Sequence, residues 1–558
     1  MNDQDLERRR FQFGLRKLLL WMAVVAVLLG ILKMLELSTA GLILAASWVA
    51  ITAIVRGAFG STWAHIVSAV GGSALALGLL FAGAFGGIIL ACSSLYADET
   101  EIIQQAEAYL ANPSDAQLER VVANYQGPID SIIRALRAKE PSDWKEITGR
   151  LDSQDFAHPD LNEKYKDDLL YFYIPKSYDP GKPYALMIFL HGGGEGTRRE
   201  YAQVITVTAE KYKYSYGLRP YIEDIPVITV SPSALVAKTS ARWCTVEAEQ
   251  HMVDVIRECR YRFNIDIDRV FLGGQSMGGM GAYHLCQRLS DRIAGGFISA
   301  GSWGTANWSC MAGTPLVISH GAADAVAPGT PGLTARPRFT DVYFARTAHK
   351  LLEEARVKHI YCEHPDGHST KYAAKGLDEF VEMMKTVKRD PFSPRIVAMT
   401  KRGWQGGRGM PPLKHSKWIT IGETTEGHVL FDSVRRTGPG PRWNEDRESF
   451  LKQGFETVKV KVNSAQVEGI NRGDNVFEIT TTNAKDFSLW LHPQMVDLSR
   501  PITINLNGNT LTRTVKPSLL DALRSYQRHR DWGLIYHSEL KITVHPSDET
   551  LSRVWSER

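Results

Sequence analysis

The chain has 558 residues, too many for one compact core, and at roughly 150 residues per domain it divides into two to four folded units. Its apolar fraction of 44% and charged fraction of 23% exclude a wholly disordered chain, a collagen-like repeat and a many-helix membrane carrier. A net charge of +4 is too mild to argue for nucleic acid, and six cysteines are too few for a disulfide scaffold.

In chain order, residues 1–17 form a basic tail carrying Arg8, Arg9, Arg10, Arg16 and Lys17. Residues 18–93 contain three apolar runs, from Leu18 to Lys33, Ala40 to Val55 and His65 to Ala91. A bilayer core of about 30 Å needs about 20 helical residues, so these runs are expected to be three transmembrane helices with the lipid bilayer as partner. The basic tail and Arg56 belong on the cytoplasmic side by the positive-inside rule. Everything after residue 93 is then expected on the outer, periplasmic side of the cytoplasmic membrane. Residues 94–167 read as a helical spacer, with Ile102, Ile103, Ala106 and Leu110 on one helix face and Ile129, Ile132, Ile133 and Leu136 on another.

Residues 168–390 alternate between apolar strands and helix-period segments. The strands are expected at 169–175, 184–190, 226–231, 269–274, 295–300, 315–320 and 359–364, with helices notably at 246–263 and 343–357. Continuous apolar strands separated by helices predict an α/β fold, a mostly parallel sheet covered on both faces. Residues 391–558 read as a β-rich, sandwich-like accessory domain with one helix near 518–530. Cys259 and Cys286 fall in helical patterns and are expected as buried thiols; an outer location would permit disulfides, but the sequence assigns none.

The chemistry concentrates in the α/β part. Gly-Gly-Gln-Ser-Met-Gly-Gly at 273–279 follows an apolar strand and opens a helical run. A serine in G-x-S-x-G sits on a cramped strand-to-helix turn that lifts its hydroxyl above the strand ends, which makes Ser276 a nucleophile. His191-Gly192-Gly193-Gly194-Glu195-Gly196 follows the strand 184–190, and such a loop can aim backbone N–H groups at a developing oxyanion. Gly192 or Gly193 would supply one donor and Met277 the other. A serine needs a base, and the base needs an acid to fix its tautomer. Asp324, past the strand 315–320, and His368, on a Pro-Asp-Gly turn past 359–364, fill these roles in the chain order Ser…Asp…His. His320 and His191 are expected to anchor their glycine loops, and Asp366 to be a turn residue. Trp243 and Tyr283 are candidates for a substrate pocket, with core packing as the alternative.

Together HGGGEG, Trp243, FNIDIDRVFLGGQSMGGMGAYHL, HGAADAVAP and HPDGH resemble the α/β-hydrolase superfamily, in particular polyhydroxybutyrate depolymerase-like and feruloyl-esterase-like enzymes. The resemblance covers about 168–388. It implies hydrolysis of a small or polymeric carboxylic ester through an acyl-serine intermediate, without metal or organic cofactor. The same branch shades into prolyl-oligopeptidase-like hydrolases, so a serine peptidase is the alternative, favoured if Glu195 binds a peptide amino terminus. A non-catalytic scaffold with a hydrolase fold is the second alternative. The basic opening and the β-rich tail resemble multidomain planctomycete-type membrane hydrolases.

Overall fold

The computed structural model describes residues 99–193, 202–203, 225–233, 243–324, 340–368, 374–402, 412–437 and 454–545. Thr100–Arg558 cluster as one compact unit. Three short helices come first: α1 (99–111), α2 (Ala116–Asn124) and α3 (Ile129–Ala138). Asp115 caps α2 by accepting from the N–H groups of Gln117 and Leu118, and Pro128 precedes the first turn of α3.

The central sheet is built from β1 (Gly149–Gln154), β2 (Leu170–Ile174), β3 (Tyr184–Leu190), β4 (Val227–Pro232), β5 (Ile265–Gln275) and β6 (Gly295–Ser299). After the two-residue β7 (Thr305–Ala306), which pairs elsewhere, β8 (Leu316–Gly321) and β9 (His359–His364) complete it. The order is β1-β2-β4-β3-β5-β6-β8-β9, antiparallel at the β1-β2 and β2-β4 contacts and parallel from β4 to β9. The connections carry α4 (Val246–Arg262), α5 (Met277–Arg288) and α6 (Val342–Glu354), and α7 (Ala374–Thr386) follows β9.

Alternation along β3 shows how both faces are buried. Leu186, Ile188 and Leu190 join the core under α4, α5 and α6, which contribute Met252, Leu285 and Leu352. Ala185, Met187 and Phe189 face the opposite way and pack against Leu377, Phe380 and Met384 of α7. A strand buried on both sides has no polar face, which is why these segments read as unbroken apolar runs.

The C-terminal part contains β10 (Arg395–Met399), β11 (His415–Ser416), β12 (Ile419–Ile421), β13 (His428–Thr437), β14 (Gly454–Asn463), β15 (Gln466–Gly473) and β16 (Val476–Thr482). It continues with β17 (Asp486–Leu491), β18 (Ile502–Leu506), β19 (Asn509–Arg513), α8 (Leu519–His529) and β20 (Ser538–Thr543). Sheet β10-β15-β16-β18-β19 and sheet β11-β12-β17-β20 close over a shared core that includes Trp418, Phe477, Leu489 and Trp490. The hairpin β13-β14 instead pairs with β7 and lays Phe455 against Tyr343 and Phe344 of α6. Helices α1 to α3 bury Ala106, Val122 and Ile132 against Leu519 and Leu523 of α8.

Two expectations need correction. Among the described residues no helix is long and apolar enough to cross a membrane, so the expected transmembrane helices preceding the sheet are not supported. The described N-terminal helices, of 9 and 10 residues in α2 and α3, are half the length a span needs and spend their apolar faces on α8. The segment 18–93, where the spans were expected, lies outside the described residues, as does the tail 1–17. The second correction concerns the segment 94–167, which is not helical throughout: its residues 149–154 form β1 and add an edge strand to the sheet.

Candidate functional site

Ser276 stands between β5 and α5 with φ 57° and ψ −116°. A side chain at positive φ costs about 1–3 kcal/mol and persists only where its surroundings enforce it. Here the Ser276 N–H donates to Ser299 O of β6 (2.9 Å), and the Ser276 carbonyl accepts from Met280 N–H (2.9 Å). The flanking glycines make the turn possible. A Cβ on Gly274 would lie 2.2 Å from Gly278 O, and one on Gly278 would lie 1.9 Å from Leu190 O and 2.9 Å from His191 O. The start of α5 is therefore pressed against the end of β3 and the beginning of the glycine loop.

The loops after β8 and β9 are hydrogen-bonded to each other. Ala322 N–H donates to His364 O (2.7 Å) and Ala323 N–H to Asp366 O (3.0 Å). Gly321 lies under that turn, where a Cβ would sit 2.1 Å from Asp366 O and 2.5 Å from Gly367 O. This docking carries His368 over the sheet. Its Nε2 lies 2.9 Å from Ser276 Oγ and its Nδ1 lies 2.7 Å from Asp324 Oδ2. Asp324 is buried and its backbone is tied down by Val342 N–H, which donates to its carbonyl (2.7 Å).

Burial on its own would raise the Asp324 pKa, but hydrogen bonds and charge from His320 and His368 outweigh it and hold the carboxyl below its ordinary value. Asp324 also accepts from Thr340 Oγ1 (3.3 Å), and His320 Nε2 lies 3.4 Å from Asp324 Oδ2 while contacting Thr340 O at 2.8 Å. His320 therefore anchors its loop as expected. Its proximity to the carboxylate, and the Thr340 contact, were not read from the sequence, since Thr340 is separated from Asp324 by a stretch without strand or helix signal. His364 lies 3.6 Å from Asp366.

On the glycine loop, the His191 Nδ1–H donates to Gly192 O (2.8 Å), Gly192 is buried, and Gly193 has φ 117°, a conformation that requires glycine. The two pocket candidates are placed in the core. Trp243 is buried beneath the loop, where its Nε1–H donates to His191 O (3.1 Å) and its Cβ abuts Gly281. Tyr283 is buried edge-on to Trp308. Among the described residues each ring is enclosed by neighbouring elements. Glu195 lies outside the described residues. Cys259 and Cys286 are fully buried and unpaired, and burial raises the pKa of both thiols.

No protein-family model matches the chain, and no curated protein matches it. Among solved structures it is similar to a thermostable esterase, with a TM-score of 0.32 and 18% identity over 43% of this chain and 63% of that one. It is also similar to a CE1 ferulic acid esterase from Anaeromyces mucronatus (TM-score 0.31, 15% identity, 44% of this chain and 94% of that one). A third is a putative dipeptidyl aminopeptidase IV from Bacteroides ovatus (TM-score 0.31, 11% identity, 42% and 35%). The chain thus spans less than two thirds of the length of the first of these. The strand order, and the serine on the turn after β5, make this sheet similar to those of α/β hydrolases.

Proposed function

We propose that the protein is a serine hydrolase that cleaves carboxylic esters through an acyl-serine intermediate. The observation that carries this reading is the continuous relay from Ser276 Oγ through both ring nitrogens of His368 to the buried Asp324 carboxylate, at 2.9 and 2.7 Å.

Ser276 Oγ attacks the ester carbonyl carbon while His368 Nε2 takes its proton. Asp324 accepts from Nδ1–H, which fixes the tautomer that leaves Nε2 free to act, and it balances the imidazolium charge. The tetrahedral oxyanion accepts from backbone N–H groups of Met277 and of the glycine loop. Of the two loop donors this reading favours Gly193. The His191 ring holds the Gly192 carbonyl, and in a trans peptide the N–H of the next residue points the opposite way, out of that contact. Collapse breaks the ester C–O bond as His368 Nε2–H protonates the departing alcohol. Water then adds to the acyl-serine, His368 again takes a proton, and the carboxylic acid leaves.

The test is turnover of p-nitrophenyl acetate and butyrate beside amino-acid p-nitroanilides. Ester cleavage well above anilide cleavage is expected, with Ser276→Ala lowering kcat by about 10⁴-fold or more. Faster cleavage of the anilides would favour a peptidase, and no turnover of either a non-catalytic hydrolase fold.

A further inference from the structure

At the opposite end of β5 from Ser276, a cavity of about 880 Å³ opens where three parts of the chain meet: α3 with the segment after it, α4 with the start of β5, and the end of α8. Ile265 lines it, and the 11-residue strand separates it from Ser276 by about 30 Å at roughly 3.3 Å per residue. It is therefore no subsite of the serine centre.

Seven arginines line this cavity against three carboxylates. The carboxylates are already engaged: Glu140 pairs with Arg260, while Asp160 and Asp254 lie 2.9 and 3.7 Å from Arg257. Asp254 also takes Lys164 Nζ (2.6 Å) and the Tyr165 hydroxyl (2.7 Å). Arg134 and Arg137 from α3, and Arg528 and Arg530 from the end of α8, have no carboxylate within ion-pair distance among the described residues. Arg530 instead lies 6.0 Å from the centre of the Tyr526 ring, which is itself stacked on Trp532 at 3.8 Å. Trp144, 44% exposed, is held at the rim by its Nε1–H, which donates to Arg260 O (2.8 Å).

Guanidinium groups of α3 and of the end of α8 without a carboxylate partner, Arg528 lying 5.3 Å from the centre of the Trp490 ring, leave positive charge around a shared concavity, which a bound anion would answer. The planar guanidinium fork matches tetrahedral oxyanions with paired N–H donors. A single carboxylate would leave most of the charge unanswered, whereas several oxyanions on one molecule would reach α3 and α8 together. We propose that this cavity is a second binding site, for a small polyanion carrying two or more phosphoryl or sulfuryl groups. By contacting three segments at once, such a ligand would also stabilise their junction by linkage.

Calorimetric titration of the full-length protein with inorganic tripolyphosphate, with sucrose octasulfate and with orthophosphate tests this. Saturable one-to-one binding of at least one of the two polyanions is expected, far tighter than orthophosphate and weakening as salt rises. Tripolyphosphate alone would identify phosphoryl ligands, and the octasulfate alone sulfated ones. The double variant Arg134→Gln/Arg530→Asn should bind about tenfold more weakly with an unchanged Tm, asparagine being suited to the left-handed conformation of residue 530. Arg137→Gln/Arg528→Gln serves as an independent second variant. The proposal fails if neither polyanion binds saturably, if orthophosphate binds as tightly, or if both double variants bind undiminished.

Discussion

Asp324 is the residue on which the relay's electrostatics turn. Its folded pKa lies below the ordinary carboxylate value despite burial, so the native state binds that proton less tightly than the unfolded chain. The stability this contributes is complete above the ordinary value near 4 and is lost as pH falls through the lower, folded value. Asp324→Asn should lower kcat by about 10⁴-fold with KM little changed, and should reduce the acid sensitivity of the Tm below about pH 4. Ester kinetics and melting curves across pH check both. At this scale Ser276, Asp324 and His368 were legible because each follows an apolar strand, and a strand's carboxyl end is where such a sheet presents its chemistry. Thr340, which contacts Asp324, was not legible because no periodic pattern links it to the site. Trp243 and Tyr283 suit pocket and core equally well in the sequence, and only their neighbours in the fold show both rings buried.

Among the elements, the contact between β3, the glycine loop and α5 decides whether the serine turn can form. Gly278→Ala puts a methyl group 1.9 Å from Leu190 O, where only backbone movement can make room. It should cost at least about 1–3 kcal/mol and abolish ester turnover, as urea denaturation and kinetics would show. Trp243→Phe keeps most of the packing but removes the donor to His191 O. It should lower kcat several-fold with KM nearly unchanged and cost about 0.5–1.5 kcal/mol for the lost hydrogen bond to the glycine loop. The strands at 184–190 and 359–364 were read with their observed ends, and β2, β4, β6 and β8 to within a residue; in β2 and β3, burial of every residue on both faces makes an unbroken apolar run. Strand β1, GRLDSQ, was missed for the converse reason. It is an edge strand, nowhere fully buried, whose sequence carries no apolar period.

For the whole molecule, the junctions are held by charge as well as by apolar packing. Arg389 is buried where it joins β5 to the loop after α8, with Nη2 2.7 Å from Asp268 Oδ1 and Nη1 2.6 Å from Asp531 Oδ2. Burial would raise the Asp531 pKa, but the charges of Arg389 and Arg292 overcome it and hold the carboxyl well below its ordinary value. Arg389→Gln leaves a buried carboxylate short of its main partner and should cost about 3–5 kcal/mol near neutral pH. With Arg389 gone, burial dominates and the Asp531 pKa rises, so the variant is relieved as that carboxyl protonates. The Tm gap between the proteins should therefore be wider at about pH 7 than at about pH 4, which calorimetry at the two pH values measures. These long-range pairings, like the packing of α1–α3 on α8, join residues more than a hundred positions apart and leave no trace in local periodicity. The most direct measurement of the central claim is labelling of the folded protein with a fluorophosphonate, followed by peptide mass spectrometry. The adduct is expected on Ser276, absent in Ser276→Ala and strongly slowed in His368→Ala. An unlabelled folded wild type, or an adduct on another residue that survives Ser276→Ala, would contradict the account.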